Sequence, residues 1–177
     1  VVEVTLTPVA SDADDEEEEE EDDSTSTGDS DTDNLPLFTV GTGTLTISKL
    51  NFTFPSTSPT PLFFCQVKNV GGTVEVTRVS ITSLTDAFTS SLFKCAGTLK
   101  ITQSYFSGFT EESSALITMD GKSSVLSLTS SIFESITRTT GSGAILEVAA
   151  ANYPTKSRAL VLQDLTFKQC CASEGNG

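Results

Sequence analysis

The chain has 177 residues, enough for one domain with a substantial core, and its net charge of −14 is local rather than global. Asp12 to Asp33 holds fourteen acids and no base; outside it ten acids face ten Lys and Arg, so the body is neutral and offers nucleic acid no basic face. There is no His, which excludes metal–imidazole and Ser–His chemistry within the chain, and no apolar run approaches a membrane span.

From the start, "VVEVTLTPV" (1–9) alternates, with Val4 and Leu6 on one side, and is expected to be a strand in the same frame as the repeats that follow. Residues 11–34 are an acidic insertion. They stand where the next repeat carries only the short turn "TFPSTSPT" (53–60), so they read as an overgrown turn on the first coil of a single domain spanning 1–177. A block of like charges repels itself and does not build a core. Within it, Asp29, Asp31 and Asp33 carry the alternating carboxylates of a calcium loop. The rest of that motif fails, because Asn34 stands where Gly would follow and Val40 where the bidentate Glu belongs. These three are the candidate metal ligands, for weak calcium binding; no other cofactor is expected.

Five stretches then read alike: "GTLTISKLNF" (43–52), "GTVEVTRVSI" (72–81), "GTLKITQSYF" (97–106), "SVLSLTSSIF" (124–133) and "RALVLQDLTF" (158–167). Apolar residues recur at the third and fifth positions, from Leu45/Ile47 to Leu160/Leu162, and a bulky one at the tenth: Phe52, Ile81, Phe106, Phe133 and Phe167. Period-two alternation of this kind makes a strand with one face buried. A second set falls between them: "PLFTV" (36–40), "PLFFC" (61–65), "SLFKC" (91–95), "ALITM" (115–119) and "AILEV" (144–148). Its inward columns are Phe38, Phe63, Phe93, Ile117, Leu146 and Val40, Cys65, Cys95, Met119, Val148, with Thr39, Phe64, Lys94, Thr118 and Glu147 on the solvent side. A short third strand is expected where Leu84, Phe109, Ile136 and Cys170 share a column.

The intervals between tenth-position residues are 29, 25, 27 and 34. Fixed apolar rungs separated by polar turns of changing length describe an all-β parallel β-helix, a solenoid of five to six coils spaced by about 4.8 Å. A β-sandwich accounts for the strand count but not for columns that keep register while the turns vary.

Asn51-Phe52-Thr53 is a glycosylation sequon, meaningful in a secreted protein. Cys65 and Cys95 fall in one inward column on consecutive coils, within reach of a disulfide, while the column's other occupants favour buried thiols. Thr44, Thr73 and Thr98 form one outward column, and Ser48, Thr77, Thr102 and Thr129 another. Between them Glu75 and Lys100 face each other, which reads as cross-strand pairing and breaks any ice-like lattice. The outward acids Glu75, Asp120, Glu147 and Asp164 lie on separate columns or turns, without the paired carboxylates of a glycosidase.

The segments "FKQCCASEGNG" (167–177) and "FESITRTTGSGAILEV" (133–148) approximate the pattern Phe-x-x-Asn/Cys, a Ser/Gly-rich turn, then Gly-Gly-Ala-Ile. This resembles the right-handed β-helix repeats of very large surface proteins in anaerobic protists and those of chlamydial polymorphic outer-membrane proteins. The resemblance implies a right-handed solenoid and an extracellular or cell-surface setting. Neither end of the repeat array carries an obvious polar cap, so the open coil ends are expected either to continue into further repeats or to stack on identical neighbours. The function expected is that of a non-enzymatic structural or adhesive β-helix, a building block of a surface rod or filament with a glycan or cell-surface partner. The alternative is a carbohydrate-binding or polysaccharide-cleaving β-helix.

Overall fold

The computed structural model describes residues 3–7 (backbone), 36–54, 64–84, 91–148 and 160–173, and every regular element among them is a β-strand. Strands from successive repeats stack side by side in four sheets, the arrangement of a β-solenoid. The first sheet runs β1 (Glu3–Thr7), β3 (Gly43–Ser48), β6 (Gly72–Thr77), β9 (Thr98–Thr102), β13 (Val125–Thr129) and β17 (Leu160–Gln163). The second runs β4 (Asn51–Phe54), β7 (Ser80–Ser83), β10 (Tyr105–Ser107), β14 (Ile132–Glu134) and β18 (Thr166–Lys168). The third runs β2 (Phe38–Val40), β5 (Cys65–Val67), β8 (Phe93–Cys95), β12 (Ile117–Met119) and β16 (Leu146–Val148). A fourth, of three strands, holds β11 (Thr110–Glu111), β15 (Thr137–Arg138) and β19 (Cys171–Ala172).

Alternation decides which side chains face in. Leu45, Val74, Leu99, Leu126 and Leu160 are register partners in succession, as are Ile47, Val76, Ile101, Leu128 and Leu162. Phe52, Ile81, Phe106, Phe133 and Phe167 form the third column, with the Phe106 and Phe133 rings stacked 5.3 Å apart and Phe133 and Phe167 5.6 Å apart. All three columns match those expected from the repeats. Each buried aliphatic side chain contributes roughly 1.5–3 kcal/mol, and because like stacks on like the core is continuous along the stack.

The passage from first sheet to second is made by one left-handed residue in each repeat. Lys49, Arg78, Gln103, Ser130 and Asp164 have φ between 50° and 55°. The corner keeps its hydrogen bonds, since Lys49, Arg78, Gln103 and Ser130 donate their backbone N–H to Thr77, Thr102, Thr129 and Gln163 at 3.0–3.1 Å. A satisfied ladder offsets the cost, about 1–2 kcal/mol, of holding a non-glycine residue there.

Three expectations are corrected. First, β1 is not a rung in the common frame: it pairs antiparallel with β3, Glu3↔Ser48 through Thr7↔Thr44, whereas the other ladders are parallel. Alternation marks a strand without marking its direction, and an antiparallel pair is slightly the more stable per residue. Residues 11–34, with Asp29, Asp31 and Asp33, lie outside the described residues, and so does Phe63.

Second, the third sheet takes its second strand two residues later than "PLFFC" implies. Cys65 pairs with Phe38 and Phe93, and Val67 with Val40 and Cys95, so the outward column is Thr39, Gln66, Lys94, Thr118 and Glu147. A slip of two preserves the alternation; what selects it is the position before the strand, where Phe64 is buried like Leu92 and Leu116. There the Phe64 ring meets Phe38, Phe52 and Phe93 edge-on at 5.5–5.8 Å. Third, Leu84 leaves the core column and is 59% exposed. The fourth sheet begins only with β11, after a bend at Gly108 (φ +77°), where a Cβ would lie 2.5 Å from the Ser83 carbonyl oxygen. Phe54 instead reaches the Phe109 ring, 6.3 Å away.

Candidate functional site

Among the residues singled out from the sequence, Asn51 opens β4 with its side chain exposed; Thr53 is exposed too, and Phe52 turns inward between them. Cys65 and Cys95 are buried free thiols, and the two-residue slip sets Cys65 against Phe93 rather than Cys95, so the shared column that suggested a disulfide does not form. Burial pushes both thiols up to about 12; the neighbouring Cys95 adds to the effect on Cys65. A thiol held protonated is a poor nucleophile, and these two act as small apolar side chains. Cys170 is half-buried, its thiol donating toward the Phe133 carbonyl at 3.4 Å, and Cys171 is exposed beside the Thr137 hydroxyl at 3.6 Å.

The outward face of the first sheet carries the columns read from the sequence. Thr44, Thr73 and Thr98 are partners, as are Ser48, Thr77, Thr102 and Thr129, and the Thr102 and Thr129 hydroxyls lie 3.1 Å apart. Between these columns Lys100 Nζ meets Glu75 Oε1 at 2.8 Å, and on the third sheet Lys94 Nζ stands 3.9 Å from Asp120 Oδ2. Exposed pairs of this kind contribute about 0–1 kcal/mol each and hold the face in register rather than activating a carboxylate.

One polar group not anticipated from the sequence sits inside the stack. Glu111 and Arg138 are register partners on β11 and β15. The Arg138 guanidinium bridges to Glu147 Oε2 at 2.8 Å and donates to the carbonyls of Ser142 (2.6 Å), Gly143 (3.4 Å) and Ser113 (2.6 Å). It thereby ties together two turns and the third sheet. Glu111 is fully buried, neither carboxyl oxygen has a hydrogen-bond partner, and burial pushes its pKa up to about 9 against the opposing pull of Arg138. A carboxyl in that state is a neutral acid at physiological pH. The available signal was parity, because Glu111 and Arg138 stand two residues after Phe109 and Ile136 and so face inward with them. Among the described residues no group of three or more His, Cys, Asp or Glu is placed to hold a metal.

The remaining feature is the last rung. Leu160, Leu162 and Phe167 are 45%, 50% and 52% exposed, whereas their partners one strand earlier, Leu126, Leu128 and Phe133, are at 0%, 1% and 0%. Among the described residues the inward columns therefore finish on an exposed apolar rung. Among the described residues no helix is long and apolar enough to cross a membrane. No protein family, characterised protein or solved structure matches the chain.

Proposed function

We propose that the chain is a non-enzymatic structural β-solenoid, a segment of an extracellular or cell-surface rod that lengthens by end-to-end stacking of copies. The observation that carries this reading is the exposure of Leu160, Leu162 and Phe167 in columns that are otherwise buried. Apolar side chains arrayed at rung spacing, beside an edge of β17 that no strand among the described residues pairs, fit another rung of the same kind better than a small ligand. The outward carboxylates Glu75, Asp120 and Glu147 each face a cation, which supports a scaffolding role for them.

Sedimentation velocity across a concentration series, with electron microscopy of the same samples, tests the proposal. Rods or concentration-dependent oligomers are expected, and Leu162→Glu should abolish them by placing a charge on the stacking face. Failure of both the parent and a chain lacking residues 1–7 to assemble at any concentration would overturn it.

A further inference from the structure

We infer that β1 is a displaceable cap, occupying the edge of β3 that a second copy's β17 would otherwise take. This rests on the stacking reading above. At one end of the stack the terminal strands are β16, β17, β18 and β19, one in each of the four sheets, so that end is flush. At the other end the second and third sheets finish at β4 and β2, while the first carries one strand more, β1. In these three sheets the two ends are therefore unequal by a single strand, while the fourth sheet begins two rungs later, at β11.

The columns show what fits the flush end. Leu160 and Leu162 would be continued by Leu45 and Ile47, Phe167 by Phe52, and Leu146 and Val148 by Phe38 and Val40, which are the first members of those same columns. A second copy thus presents the matching first rung in three sheets, in the parallel register used throughout the stack. Among the described residues that seat is filled in the first sheet alone, by a strand of the opposite direction paired residue for residue from Glu3↔Ser48 to Thr7↔Thr44. An edge strand held on one side only is among the first parts of a sheet to open. Removing β1 frees β3 without breaking any parallel ladder.

Deleting residues 1–7 and comparing sedimentation with the full chain at matched concentrations tests the cap, with circular dichroism to show that the solenoid is retained. The shortened chain should assemble at about tenfold lower concentration, equivalent to ~1.4 kcal/mol of cap stability. A synthetic peptide of residues 1–9, added in excess, should reverse the gain. Equal midpoints for the two chains would remove the cap and leave the stacking reading standing; assembly by neither would remove both. Should the shortened chain fail to fold, Thr5→Cys with Thr46→Cys, register partners across β1 and β3, decides the matter in the full chain. Assembly is expected only after reduction, and identical behaviour of the oxidised and reduced forms would overturn the inference.

Discussion

Glu111 and Arg138 lie opposite each other on neighbouring parallel strands, yet the guanidinium is spent on Glu147 and three backbone carbonyls while both Glu111 oxygens go without a hydrogen-bond partner. The buried acid is consequently a neutral passenger beside a cation whose two terminal nitrogens are engaged elsewhere and whose Nε is itself without a hydrogen-bond partner. With its folded pKa pushed up to about 9 against an ordinary value of 4.5, Glu111 keeps its proton in the folded state where the unfolded chain has lost it. Between those two values the folded state binds more protons, so stability falls as pH rises.

Glu111→Gln should remove that slope, because the amide is neutral at every pH and nearly the same shape. The variant is expected to be on the order of 5 kcal/mol more stable than the parent at pH 8 and no more stable at pH 4. Urea midpoints at the two pH values check this; parallel shifts at both would show that charge is not the cause.

The phenylalanine column should report position along the stack. Phe133 lies between the Phe106 and Phe167 rings and is fully buried, so Phe133→Ala should cost about 3–5 kcal/mol. Phe167, covered on one side and 52% exposed, should cost under about 1 kcal/mol in the monomer when replaced by Ala. Denaturant unfolding of the two variants at low protein concentration gives the comparison.

The corner residues should reward a side chain that tolerates the left-handed region. Gln103 is exposed with φ 51°, so Gln103→Asn should gain about 0.5–1 kcal/mol, while the β-branched Gln103→Val should lose about 1 kcal/mol or more. Thermal melts of the pair give the sign directly.

Thiol reactivity should separate surface from core. Cys171 is expected to react rapidly with DTNB at neutral pH. Cys65 and Cys95 should react only on unfolding, since burial holds their protons up to about 12. Alkylation followed by peptide mass spectrometry identifies the sites, and fast labelling of Cys95 would contradict its place in the core.

The inward columns of the first and second sheets were legible because a residue's parity in a strand fixes its face, and that parity recurs at every repeat. The slip at β5 was not, because "PLFFC" and "FFCQV" both satisfy the alternation. Packing of Phe64 against Phe38, Phe52 and Phe93 chooses between them, together with the rung-to-rung bonds Lys68 N–H to the Val40 carbonyl and Ala96 N–H to the Val67 carbonyl. Parity with Phe109 marks Glu111 as inward within its own repeat, but it takes the neighbouring strand to show that the position is covered.

Taken alone, the sequence determined that this chain stacks strands in a solenoid with Leu, Ile and Phe columns inside and Thr, Ser and paired charges outside, since those follow from local alternation repeated in phase. Only the tertiary structure decided the direction of β1, the partner of Cys65, the burial of Glu111 beside Arg138 and the exposure of the last rung. Each of these depends on which strand lies alongside, a contact between residues roughly 25–45 positions apart that hydrogen-bond direction and side-chain volume settle and residue pattern does not.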